Sequence, residues 1–217
     1  VSSLPSLVLS FRGTLEVMAE ERDEAYRMPP PHYPLRRVRS TLLVASYRMV
    51  QKLGREDEYL RALATQYHEP IKGAVAGTWI LAEVALAHYA ACESFALTNE
   101  QQVDIGRTVG AQIRGTLFGT IVYLSKEAGA TPWMVVGALP RLWPRLFDGS
   151  WITIWKQGPK EVRLDVQGLP LVDARYFCNA LRGQIMGTLD LFCSRTYVTS
   201  RPERLGPGAH SMRIQWA

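Results

Sequence analysis

The side chains best able to hold a metal or move protons in this 217-residue sequence are four histidines and three cysteines. None of His32, His68, His88 and His210 makes a zinc-type spacing with another histidine or with a cysteine. His88 and Cys92 do lie one turn apart on a predicted helix, with Glu93 adjacent. A lone helical histidine can ligate haem iron or act as a base. Equally, it can be a half-buried side chain satisfied by one hydrogen-bond partner. In "YHEP" (67–70) His68 precedes Glu69 in a predicted loop, but no serine or cysteine nucleophile motif accompanies the pair. There is no G-x-x-x-x-G-K-[ST] and no G-x-G-x-x-G following a strand. The residue chemistry therefore points away from catalysis: no enzyme is expected, no metal site is supported, and the cofactor is left open.

The elements that would position these residues follow from periodicity. "LVLSF" (7–11) reads as a strand and 13–26 as a helix that "RMPPPHYP" must break. A helix is expected from Leu35, with Gly54 as its stop, then a short helix over 56–65, irregular chain over 68–78 and a helix over 79–96. Thr98 and Gln101 have the spacing of a capping box, opening a helix that should run to about Ala128. Thr131 and Pro132 start another, ending near Phe147. The period then changes from helical to alternating. Residues 150–168 read as a hairpin, with Val162, Leu164 and Val166 on a buried face, and 172–193 as an amphipathic helix capped by Asp173. Strands over 195–200 and 211–217 close the chain. The fold class is thus α+β, a helical N-terminal half packed on a small antiparallel sheet with β-β-α-β-β order. It is expected to be one domain over 1–217, helical over 1–148 and β-β-α-β-β over 149–217.

Glycines are conspicuous where helices are expected. In "IGRTVGAQIRGTLFGTIVYL" (105–124) each costs ~1 kcal/mol against alanine. At about 100° per residue, Gly106 and Gly110 share one side and Gly115 and Gly119 the other. Such a helix is pressed between two neighbours. Gly183 and Gly187 likewise lie behind the apolar stripe of the last helix, where a second element can approach. Glycines that leave room between packed elements can also line a concave apolar site. The walls of such a site would be Gly115, Phe118, Gly119 and Val122 on the central helix, Phe177, Leu181 and Ile185 on the last helix, and Trp133. Trp133, Trp143, Trp151 and Trp155 crowd the helix-to-hairpin junction, as core or as a partner surface.

Composition sets the outer limits. The net charge of +5 comes wholly from residues 131–217, since 1–130 are balanced, and 20 of the 25 basic residues are arginine. That distribution is less concentrated than nucleic-acid binding requires. The longest apolar run, around 79–91, is interrupted by Glu83 and His88 and is too short for a membrane span. The first residues lack the basic region of a secretory signal. Free cysteines of this number suit a cytoplasmic protein.

The segment "GATPWMVVGALPRLWPRLFDGSWITIWKQGPKEVRLDVQGLPLVDARYFCNALRGQIMGTLDLF" (129–192) resembles a family of roughly 200-residue myxobacterial proteins. More distantly, residues 100–217 resemble the ligand-binding superfamily of the 4-vinyl-reductase domain, the haem-NO-binding domain and the TRAPP subunits. The shared pattern is a helical lead-in, a hairpin, a long helix with Phe177-Cys178, Gly183 and Gly187, and a closing hairpin. Unlike the 4-vinyl-reductase domain, this chain has no cysteine pair around its last hairpin, and His88 does not match a haem ligand. The resemblance implies a fold for binding a small, largely apolar molecule or a protein partner, and the function expected is a non-catalytic binding or sensor module for an apolar ligand in a bacterial signalling system. The alternative is a protein-interaction or scaffold subunit, dimeric, with a protein partner in place of the ligand.

Overall fold

Alternation in the C-terminal third produces the sheet that organises the chain. The computed structural model describes residues 24–112, 131–201 and 206–217. Strands β5 (Trp151–Gly158) and β6 (Glu161–Gln167) form the expected hairpin, and β7 (Thr196–Ser200) and β8 (His210–Trp216) form the closing one. With β1 (Glu24–Arg27) they make a five-stranded antiparallel sheet in the order β1-β5-β6-β8-β7. Register aligns Ile154, Leu164 and Met212 across three strands, and these side chains are 0–1% exposed. Every second residue on this face is apolar, so one face is core.

The opposite face is polar and closely tied. Asp165 lies between Thr153 and Ser211. It accepts from Trp155 Nε1 (2.8 Å) and Ser211 Oγ (2.7 Å), while Arg163 Nε lies 3.2 Å away. Asp165→Ala would leave the buried Ser211 hydroxyl and the half-buried Trp155 indole N–H without an acceptor. It is expected to cost about 2–4 kcal/mol, with Asp165→Asn costing less. Urea unfolding that finds the two variants equal would refute this.

A second sheet, β3-β2-β4, joins β2 (Arg37–Arg39), β3 (Trp79–Leu81) and β4 (Phe147–Asp148). It corrects two helix expectations. The chain is extended at 37–39 and at 79–81, because pairing of Val38 with Ile80 and Phe147 buries Val38 fully. Helices α1 (Ser40–Lys52) and α4 (Ala82–Glu93) start only after these strands. Gly54, at φ +67°, stops α1 as expected. Between them lie α2 (Glu56–Ala62) and α3 (His68–Lys72), the latter where irregular chain was expected. Residues 24–26 are strand rather than the end of a helix. The strand expected over 7–11 and the rest of that helix lie outside the described residues.

Helix α5 (Asn99–Gln112) opens on the predicted box. Thr98 N–H donates to Gln101 Oε1 (2.9 Å) and Gln101 N–H to Thr98 Oγ1 (3.2 Å). Helix α6 (Pro132–Leu142) starts at Pro132 as read, although the Thr131 side chain makes no cap bond. It stops at Leu142 rather than near Phe147, because the Trp143–Arg145 segment, which contains Pro144, tightens into a 3₁₀ turn. Helix α7 (Arg175–Leu189) is capped at Ala174, not Asp173. Asp173 instead accepts from the Gly208 N–H (3.0 Å), tying the start of α7 to the last hairpin. At its N-terminus, Glu93 takes the place of a local cap, accepting from Tyr176 N–H at 2.7 Å.

Helices α5 and α7 meet through their glycines. A Cβ on Gly106 would stand 2.1 Å from the Ala180 carbonyl oxygen, and one on Gly183 would stand 2.0 Å from that of Val103. Backbone therefore lies on backbone from both sides, which answers why helix-weakening residues are kept there. Beside this seam, Asn179 Nδ2 donates to Gln102 Oε1 (2.7 Å) and Asn99 Oδ1 (3.1 Å). Farther along α7, Arg182 Nε and Nη2 both donate to the Val198 carbonyl of β7 (3.1 and 3.0 Å). Among the described residues, no helix is long and apolar enough to cross a membrane.

Candidate functional site

The histidine that sequence spacing singled out sits in the most enclosed part of the helical half. His88, on α4, is 0% exposed. Its Nδ1 lies 2.7 Å from Tyr59 Oη of α2 and its Nε2 lies 2.9 Å from Ser46 Oγ of α1. Cys92 Sγ, one turn on, is 3.8 Å from the same Nε2. A neutral imidazole donates through one nitrogen and accepts through the other, so this ring is satisfied on both sides. The rings of Tyr59 and Tyr89 pack edge-on against it, at centroid distances of 5.4 and 4.8 Å. No carboxylate faces the imidazole, and burial alone pushes its pKa down to about 3. The same burial raises the pKa values of Tyr59, Tyr89 and the Cys92 thiol. Burial favours the neutral form of each of these groups, and the cluster cross-links α1, α2 and α4.

His68 is engaged by main-chain carbonyls rather than by Glu69. His68 Nε2 donates to the Leu60 and Leu63 carbonyls (3.1 and 3.0 Å) and so ties the end of α2 to α3. His32 stacks on Trp151 at 4.8 Å and donates to the Met28 carbonyl (3.1 Å). His210 Nε2 lies 3.1 Å from Ser200 Oγ, and burial and the nearby Arg182 lower its pKa.

Of the eight wall residues read from sequence, Gly115, Phe118, Gly119 and Val122 lie outside the described residues. The other four do not converge on one point. Phe177 packs edge-on against Tyr89 at 4.8 Å, and both Phe177 and Leu181 are buried, so they are core. Trp133 sits at the far end of the sheet, by the β5–β6 turn. Its ring meets Trp216 edge-on at 5.1 Å, and its Nε1 donates to the Pro159 carbonyl (2.8 Å). Ile185, two turns along α7 from Phe177, is only partly buried. Trp143, Trp151 and Trp155 also have bonded indole N–H groups, so the tryptophan-rich junction is fixed structure.

The residues that sequence reasoning missed lie beside Trp133 on α6. The helix reads PWMVVGALPRL, yet only Val136 and Pro140 are fully buried. Trp133, Val135 and Leu139 are partly buried, and Met134 is 62% exposed. The uninterrupted apolar run WMVVGAL was the available signal. One face rests on the sheet, where Gly137 lies so close to Tyr26 that a Cβ would stand 2.7 Å from its ring. The remaining faces are largely apolar, with Arg141 in the last turn and Lys156 Nζ 5.6 Å from the centre of the Trp133 ring.

No protein-family model matches the chain, and no curated protein matches it in sequence. Solved structures do match in fold. An Fe(II) unliganded H-NOX protein from K. algicida aligns with a TM-score of 0.59 at 8% identity, over 82% of this chain and 96% of that one. A mutant H-NOX from T. Tengcongensis aligns at 0.54 and 14%, over 82% and 97%. An oxygen-binding H-NOX domain related to soluble guanylate cyclases, in its oxygen complex, aligns at 0.53 and 13%, over 82% and 94%. At such identities the likeness establishes a shared α+β fold. The imidazoles and the Cys92 thiol described above do not fit a haem, since each is already engaged within the fold.

Proposed function

We propose that this chain is a non-catalytic binding or sensor module for a small, largely apolar molecule in a bacterial signalling system. The exposure of α6 carries the reading. A helix this apolar is ordinarily enclosed, yet α6 is fully buried only at Val136 and Pro140, with Trp133, Val135 and Leu139 half-buried against the core and Met134 exposed. A ligand lying against it would cover Met134 and the half-buried Trp133, Val135 and Leu139. Solved neighbours of the same fold include an oxygen-binding domain related to guanylate cyclases, which supports a sensor role. The setting we propose is a single cytoplasmic domain.

A second reading has one observation in its favour: Met134, at 62% exposure, is as well placed to meet a second copy of the chain as a ligand. Native mass spectrometry of freshly purified protein, followed by the denatured mass, separates the two. Excess mass lost on denaturing supports the ligand. A clean mass at twice 24.4 kDa moves the reading to a dimeric scaffold. Met134→Glu is expected to reduce the carried ligand several-fold while shifting stability by no more than about 0.5 kcal/mol. A clean monomer that takes up none of a panel of apolar probes would defeat both readings.

A further inference from the structure

We propose that this chain uses the H-NOX-like fold without haem, its four histidines serving as structural cross-links and its ligand held by apolar contact alone. The inference rests on the binding-module reading for the existence of a ligand, and on side-chain geometry for its chemistry. Haem iron is gripped through an axial side chain, chiefly an imidazole or a thiolate. All four histidines and all three cysteines of the sequence lie among the described residues, so both donor types can be followed one by one.

His88 is closed from every side. A metal–imidazole bond is about 2 Å long, so iron at Nε2 would have to replace Ser46 Oγ, now 2.9 Å away. The macrocycle around that iron would force α1 off α4. In His32 and His68 a carbonyl partner fixes the proton on Nε2. That leaves Nδ1, which lies beside its own Cβ and main chain, where a macrocycle cannot come flat. His210 bonds Ser200 and stands near the Arg182 guanidinium, a poor neighbour for cationic iron. The thiols are no better placed. Cys178 and Cys193 donate to the Val172 and Leu189 carbonyls (2.9 and 3.2 Å), and Cys92 is sealed beside His88.

The test begins with protein unfolded in denaturant, freed of any bound molecule, refolded and titrated with hemin. The expected result is no axially ligated Soret complex at one equivalent and no iron–histidine band in the reduced Raman spectrum. The unfolding midpoint should also stay where it was, whereas a ligand at roughly a hundredfold over its Kd would raise it by several degrees. A saturable one-to-one complex with an iron–histidine band would overturn the proposal. Hemin taken up without that band, and displaced by a long-chain fatty acid, would support it as apolar binding without coordination. Loss of the ligand reading in native mass spectrometry would leave this test intact, because it reads the histidines and not the natural ligand.

Discussion

Gly183→Ala is expected to destabilise the protein by about 2–4 kcal/mol, and Gly106→Ala by a similar amount. The added methyl meets a main-chain oxygen at 2.0 or 2.1 Å, far inside van der Waals contact, and neither helix can rotate a backbone away. Overpacking of this kind costs ~1–3 kcal/mol and sometimes more, which exceeds the ~1 kcal/mol that alanine gains over glycine in a helix. The two helices also resist separation, since Asn179 and Gln102 bond across the seam and Arg107 lies 3.7 Å from Asp190. At Gly187 and Gly110 the nearest atoms would be 3.0 and 3.2 Å away, so alanine there should be close to neutral. Because one displacement of α5 from α7 relieves both severe contacts, Gly106→Ala and Gly183→Ala combined should cost less than their sum. Urea unfolding gives all five values. A Gly183→Ala variant as stable as its parent would show that the seam is not held as close as described.

Acid should weaken the fold through His88. Its folded pKa of about 3 lies below the 6.5 of an exposed imidazole, so between those values the unfolded chain binds the extra proton. Stability is therefore complete above the unfolded pKa and falls as pH falls, by up to ~1.4 kcal/mol per pH unit. From pH 7 to pH 5, before most carboxylates titrate, the loss is about 2 kcal/mol. His210, also lowered, adds in the same direction. The quantity to measure is thus the difference in slope between the parent and His88→Gln, which keeps a donor and an acceptor for Tyr59 and Ser46 but cannot be protonated. The glutamine variant should start out less stable and lose less between pH 7 and pH 5. Identical slopes would mean that His88 titrates alike in the folded and the unfolded chain, as a solvated imidazole does.

Much of the architecture was legible because it depends on local pattern. Alternation at Val162, Leu164 and Val166 located the sheet face, Thr98 and Gln101 the start of α5, and Gly183 and Gly187 the surface a second helix would occupy. Short strands were not legible. Arg37–Arg39 and Trp79–Leu81 adjoin helices and hold their extended form through partners 40 or more residues away. The candidate site divides the same way. Trp133 was read directly, the apolar run of α6 beside it was missed, and the partners of His88, at Ser46 and Tyr59, stand 42 and 29 residues from it. No periodicity links residues that meet only after three helices pack. Phe177 and Leu181 were read as ligand walls because an apolar stripe looks the same whether it faces a cavity or a neighbouring ring.

Arg182 has a consequence for how copies of this chain can meet. Arg195 and Arg201 turn their main-chain groups toward the β8 side of the ladder, so Thr196, Val198 and Ser200 turn theirs outward. The middle carbonyl of those three is already taken by two guanidinium N–H groups. A foreign strand adding along β7 would find its central acceptor occupied and a cation in its path. Growth of the sheet by edge addition on that side is thereby discouraged. The helical surface, where α6 presents Met134, carries no such obstacle to self-association.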